Sequence, residues 1–177
     1  PLREAYRHGV TVPREDSFGA AVFSRVPISS TVTESLGDRG LPAVIAELDM
    51  GRGAVTLLAA HAPPPVNASA ARERDAYLRQ LTTVARSYRT PMILCGDLNT
   101  TQWSPVFGDL VQGTGLRDAS RGFGLHPTWN ASHPRLLQLP LDHCLASADI
   151  GVRGVRRGPK LGSDHLPIIV DLAVAIR

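Results

Sequence analysis

A chain of 177 residues, 43% hydrophobic and 20% charged, is long enough for a substantial core and has the make-up of an ordinary globular domain. One domain over residues 1–177 is expected. The net charge of +3, with a single lysine (Lys160), suits a phosphate-bearing partner but lacks the dense Lys/Arg patches of a dedicated nucleic-acid binder. Two cysteines rule out a cysteine-built zinc site or a multi-bridge framework, and no apolar run is long enough to cross a bilayer.

In chain order, residues 1–17 are polar and mixed in charge, and read as a loop or a frayed edge. Residues 20–24 read as a short strand. Residues 27–40 read as an extended strand that decays into a turn. Residues 43–49 and 55–61 flank Gly51-Arg52-Gly53 and predict a hairpin. Three prolines, Pro63 to Pro65, stop the second arm. Residues 69–87 are the clearest helix: Ala70, Tyr77, Leu78, Leu81, Val84 and Ala85 fall near one face, and Ser69 is a plausible cap.

The next stretch organises the rest. Pro91-Met92-Ile93-Leu94-Cys95 is an uncharged run that predicts a strand buried on both faces. It ends in Gly96-Asp97-Leu98-Asn99. Gly96 permits a turn or a close backbone approach. Asp97 and Asn99, two apart, are expected to project the same way. The bland reading is a turn, since Asp and Asn are turn formers.

Residues 106–111 predict a short helix, and residues 113–128 a glycine-rich loop. That loop leads into His126-Pro127-Thr128-Trp129. Trp129 reads either as an aromatic plug on the sheet or as a wall of a substrate pocket. His126 reads as a solvated loop histidine or a phosphate contact. Residues 141–147, 150–155 and 166–174 predict further strands. Two of these have an Asp-His pair at the edge: Asp142-His143 and Asp164-His165. His143 should face away from Asp142 and is read as structural. Cys95 and Cys144 each lie in a predicted core strand. They read as inert core thiols, or as a cross-strand disulfide if the strands are neighbours in an oxidising compartment.

Three acidic strand ends, each beside His or Asn, are hard to explain by packing. Carboxylates gathered in one place repel unless a cation or hydrogen-bond donors satisfy them. If they converge, oxygen ligands beside imidazoles suit Mg²⁺ or Mn²⁺ and phosphate chemistry. Other enzyme classes lack their signatures: there is no Gly-x-Ser-x-Gly elbow, no Gly-x-Gly-x-x-Gly turn and no Gly-Lys-Ser/Thr loop.

Gly96-Asp97-Leu98-Asn99, then Leu141-Asp142-His143, then Ser163-Asp164-His165-Leu166-Pro167-Ile168, in that order, resembles the endonuclease/exonuclease/phosphatase superfamily. Phe18 to Pro27 resembles the strand before that group's central hairpin, and His61 matches its catalytic histidine position. The resemblance implies a DNase I-like, four-layer α/β sandwich with a site at one end of two packed sheets. It implies a divalent-metal-dependent phosphoesterase using Mg²⁺ or Mn²⁺. It casts Asp97 as the group that orients or deprotonates water, and Asn99 as an amide donor to water or phosphate. His165 and His61 become phosphate donors, Asp142 the carboxylate behind His165, and Asp164 with Asp97 the metal ligands. Trp129 and His126 would line the substrate site.

The family's first strands, including one ending in a Gln-Glu metal ligand, are expected to be missing from this chain. That absence keeps open a rival reading as a non-catalytic binding module. Expected substrates are nucleic acids, small phosphomonoesters or lipid-linked phosphates, with no protein partner evident. A likeness to a membrane-anchored bacterial branch suggests an anchor upstream of Pro1 and a place outside the cytoplasm.

Overall fold

The computed structural model of the protein describes residues 2–88 and 91–175. Its elements in chain order are α1 (Leu2–Ala5), β1 (His8–Val12), β2 (Ala20–Ser24), β3 (Ile28–Leu36), β4 (Leu41–Asp49), β5 (Ala54–His61), α2 (Ala68–Ser87), β6 (Met92–Asp97), α3 (Pro105–Thr114), β7 (Arg117–Asp118), β8 (Asp142–Ala146), β9 (Ile150–Arg157) and β10 (Ile168–Val174). Six strands form a central mixed sheet in the order β3-β4-β5-β6-β8-β7. Only β5 and β6 run parallel among these pairs. Parallel neighbours need a long crossover, and α2 supplies it.

Strand periodicity separates the two faces of this sheet. Ala43, Ile45, Leu58, Ala60, Leu94 and Leu145 pack with Tyr77, Leu78 and Leu81 of α2 and Phe107 and Leu110 of α3. On the other face, Val44 and Ala46 meet Val22 of the β1–β2 hairpin. Beside them, Val55, Ile93 and Ala146 meet Ile150, Leu172 and Val174 of the β9–β10 hairpin. The described residues therefore build a helix layer, the central sheet and a layer of two hairpins. Burial on both faces is why β6 reads as a continuous apolar run. Among the described residues no helix is long and apolar enough to cross a membrane.

Three expectations are corrected. Residues 8–12 are not loop: they form β1, paired antiparallel with β2 from His8↔Ser24 to Val12↔Ala20. Helix α2 is capped by Asn67, whose side-chain oxygen accepts from the Ala70 N–H at 2.9 Å, and not by Ser69. The cysteines are not free thiols. Cys95 and Cys144 are register partners on β6 and β8, with Cα atoms 4.2 Å apart, and they are joined by a disulfide.

Candidate functional site

The site begins as one row of register partners across three adjacent strands. His61 at the end of β5 pairs with Asp97 at the end of β6, and Asp97 pairs with Asp142 at the start of β8. By strand alternation all three share the hairpin face of the sheet. Gly96 lets the row close up. Its φ is +154°, and a Cβ there would lie 1.8 Å from the Ala60 carbonyl oxygen. No side chain fits at that point.

A second set of residues closes over this row. His165, on the loop before β10, donates from Nδ1 to Asp142 Oδ2 at 2.7 Å. Its Nε2 lies 3.7 Å from Asp97 Oδ2, and His61 Nε2 lies 3.5 Å from the same oxygen. Trp129 bridges the loops, pairing with both Leu139 and His165. The fully buried Thr128 hydroxyl accepts from the Leu141 and Asp142 amides at 3.4 and 3.3 Å, which fixes the start of β8. His61, Asp97, Asn99, Asp142, Asp164, His165 and Trp129 all line one pocket of about 710 Å³.

Electrostatics follow from burial. Asp97 is pushed up to about 6, chiefly by burial and then by the neighbouring Asp142 carboxylate. His165 is raised, first by its hydrogen bond to Asp142. His61 is lowered, by burial and then by His165. A largely desolvated aspartate thus faces one imidazole that favours its proton and one that does not.

Asn99 lies within this site but is already occupied. It is buried, in the left-handed region at φ +47°. Its side-chain amide donates to the Ala62 carbonyl at 2.8 Å and to Asp97 Oδ2 at 3.2 Å, and its backbone N–H donates to Asp97 Oδ1 at 2.9 Å. Asn99 orients Asp97 in this arrangement. His126 is not part of the pocket lining; its Nε2 lies 3.1 Å from the Phe123 carbonyl. His143 is on the helix face, 2% exposed, with Nε2 2.8 Å from the Thr100 carbonyl.

A family model described as "Endonuclease/Exonuclease/phosphatase family" matches residues 2–165. The chain belongs to the endonuclease/exonuclease/phosphatase family. Its fold is the DNase I-like α/β sandwich of solved relatives. A family member from Beutenbergia cavernae superposes with a TM-score of 0.76 at 24% identity, over 97% of this chain and 54% of the relative. A mannosyl-6-phosphatase from Bacteroides thetaiotaomicron superposes at 0.66 and 19% identity, over 94% of this chain and 76% of the relative. A sphingomyelinase C from Streptomyces griseocarneus does so at 0.65 and 17%, over 96% and 78%. The chain thus spans about half the length of the first of these. No curated protein sequence matches it significantly.

Members of this family typically use divalent metals. The donor set of this chain fits such an ion. Asp97, Asp142 and His165 present ligand atoms within 4.8 Å of one another. Asp164 adds a carboxylate from the exposed lip of the pocket. The raised Asp97 pKa marks anionic charge short of a counter-charge, which a hard cation relieves.

Several residues at or beside the site carried no sequence signal of a role there. Phe18 stacks at a tilt on His61, with ring centroids 4.8 Å apart. Arg74 of α2, with its side chain 12% exposed, donates from Nη1 to the Asn99 carbonyl at 2.6 Å and pairs through Nε with Asp75. An arginine in an arginine-rich helix announces nothing, because only the packing of α2 aims it at the loop after β6. Val66, also in the lining, stands in a stretch that reads as plain connection.

Proposed function

We propose that the protein is a divalent-metal-dependent hydrolase of phosphate esters, acting as one domain by in-line attack of water. The observation that carries this reading is the Asp142–His165 hydrogen bond at 2.7 Å beside a buried Asp97 raised to about 6. Asp97 orients the attacking water and accepts its proton. Asn99 and its N–H hold both Asp97 oxygens in place. His165, kept protonated by Asp142, donates from Nε2 to a phosphoryl oxygen, and His61 supplies a second donor from the neighbouring strand β5. Asp97 and Asp164 would hold a Mg²⁺ or Mn²⁺, which would supply charge relief to the phosphoryl oxygens. Trp129 walls the pocket.

The activities named for the mannosyl-6-phosphatase and the sphingomyelinase support phosphate esters as the substrate class. The Cys95–Cys144 disulfide supports an oxidising, extracytoplasmic compartment. The test is turnover of an aryl phosphate monoester and diester with Mg²⁺ or Mn²⁺. Metal-dependent hydrolysis that Asp97→Ala abolishes is expected. Phosphate binding without turnover of either ester would make the pocket a binding module instead.

A further inference from the structure

The residues that line the pocket are of two kinds. One set is the row of carboxylates and imidazoles. The other is apolar: Val66, Trp129, Leu139 and Leu141, with Pro64 and Pro65. Val66 is 80% exposed and Leu139 41% exposed, so apolar surface at the mouth is left open to solvent. It continues along the chain into Leu136 and Leu137, 97% and 64% exposed on the short turn before Leu139. Open apolar surface of this kind in a concave site is a binding feature more often than an accident.

The cationic side is as informative. No Lys or Arg is among the described residues that line the pocket. The imidazoles present are His61 and His165, both directed at Asp97, and of the two only His165 favours the charged form. Two imidazoles and one ion serve a single phosphate. A polynucleotide carries a phosphate at every nucleotide, and its binding rests on Lys and Arg contacts to flanking phosphates. A polyphosphorylated sugar makes the same demand.

We propose that Val66, Trp129, Leu139 and Leu141 form a subsite for an apolar ester group, so that the substrate is a single phosphate esterified to an aliphatic chain. This rests on the phosphoesterase reading of the same pocket and narrows it. The phosphate sits at Asp97 and His165 while the chain leaves along the apolar lining toward Val66 and Leu139. Water leaves that surface on binding, and each methylene buried there tightens binding about fourfold.

The test is binding of a series of non-hydrolysable n-alkylphosphonates, methyl to hexyl, to the full chain with Mg²⁺, by calorimetry and Trp fluorescence. Affinity is expected to rise about fourfold per methylene until the subsite is filled, and hexylphosphonate to bind more tightly than an oligothymidylate. In Val66→Asp, on an exposed position that folding does not depend on, and in Leu139→Ser, the hexyl-to-methyl affinity ratio is expected to fall toward one. A second arm compares monomeric dihexanoyl phosphatidic acid with a long-chain phosphatidic acid in phosphatidylcholine vesicles. Binding to the monomer alone assigns a soluble amphiphile, and cosedimentation with the vesicles a bilayer-borne one. Affinity independent of chain length, tighter binding of the oligothymidylate, or no binding of any alkylphosphonate would each overturn the subsite. Aryl phosphate turnover, read separately, decides whether the phosphoesterase reading stands in that event.

Discussion

His165 keeps its proton because Asp142 accepts from Nδ1 at 2.7 Å. In Asp142→Asn the carboxylate is gone and the imidazolium loses its main support. The His165 pKa, read from its ring-proton shifts, is expected to fall, and kcat on an aryl phosphate to drop by orders of magnitude. Activity within a few-fold of the parent would remove the pair from the mechanism. His143, one residue along, behaves oppositely. Burial on the helix face, against Phe107 at 4.5 Å, pushes its pKa down. The unfolded chain therefore takes up a proton near the free-imidazole value of about 6.5 while the folded chain does not. The contribution of His143 to stability is present above about pH 6.5 and is lost as pH falls from there through the folded pKa. His165, with its raised pKa, contributes the reverse slope, so the difference between parent and His143→Gln isolates His143. Urea unfolding from about pH 5 to 7.5 should show a smaller acid-side loss in His143→Gln; equal losses would refute it. That His143 faces away from Asp142 was legible in the sequence through strand alternation, whereas the Asp142–His165 pair was expected only from the family resemblance. The commitment of the Asn99 amide was not legible, because its partner Ala62 is 37 residues away in sequence.

At the scale of elements, β6 and β8 set two carboxylates, Asp97 and Asp142, directly opposite each other. Like charges in a cross-strand pair are destabilising. Two residues further into the sheet, on the same face, Cys95 and Cys144 join the same two strands. The bridge holds together the pair that the carboxylates push apart. It closes a separation of 49 residues, for which loop-closure entropy predicts about 4 kcal/mol of stabilisation. Cys95→Ala with Cys144→Ala is expected to lower the urea midpoint accordingly and to reduce kcat through a less fixed Asp97–Asp142 row. A double variant with the parent's midpoint would show that the sheet needs no staple. The long helix and the β4–β5 hairpin were readable because their signals are local: 3.6-residue periodicity, and a Gly-Arg-Gly turn between apolar arms. Strand β1 was not, because five alternating residues among charged neighbours become a strand only when β2 fixes their register. The disulfide was left open for the same reason, since strand adjacency is a property of the topology.

At the scale of the whole molecule, the central sheet holds an aspartate that opposes folding. Burial and Asp142 raise Asp97 from 3.8 to about 6. A folded pKa above the unfolded one means that the folded chain retains a proton the unfolded chain has released. Stability from Asp97 is therefore fully present below about pH 4, declines as pH rises through about 6, and stays lower at neutral pH. The difference corresponds to roughly 3 kcal/mol, a large share of the roughly 5–15 kcal/mol by which domains are usually stable. Asp97→Asn keeps an acceptor for the Asn99 N–H and removes the charge. At pH 7.5 in the absence of metal this variant is expected to be more stable than the parent by up to about 3 kcal/mol, although it loses activity. Such a trade is expected where a site is built for chemistry rather than for folding. A divalent cation should narrow the gap from the other side, because an ion that binds the folded parent stabilises it in proportion to log concentration above its dissociation constant. The measurement is unfolding free energy of both proteins over a Mn²⁺ titration, at about pH 5 and pH 7.5. The parent should gain stability with Mn²⁺ at pH 7.5, less at pH 5 where Asp97 is mostly protonated, and the variant should gain little at either. A variant less stable than the metal-free parent at pH 7.5, with an undiminished response to Mn²⁺, would mean that Asp97 neither strains the fold nor holds the ion.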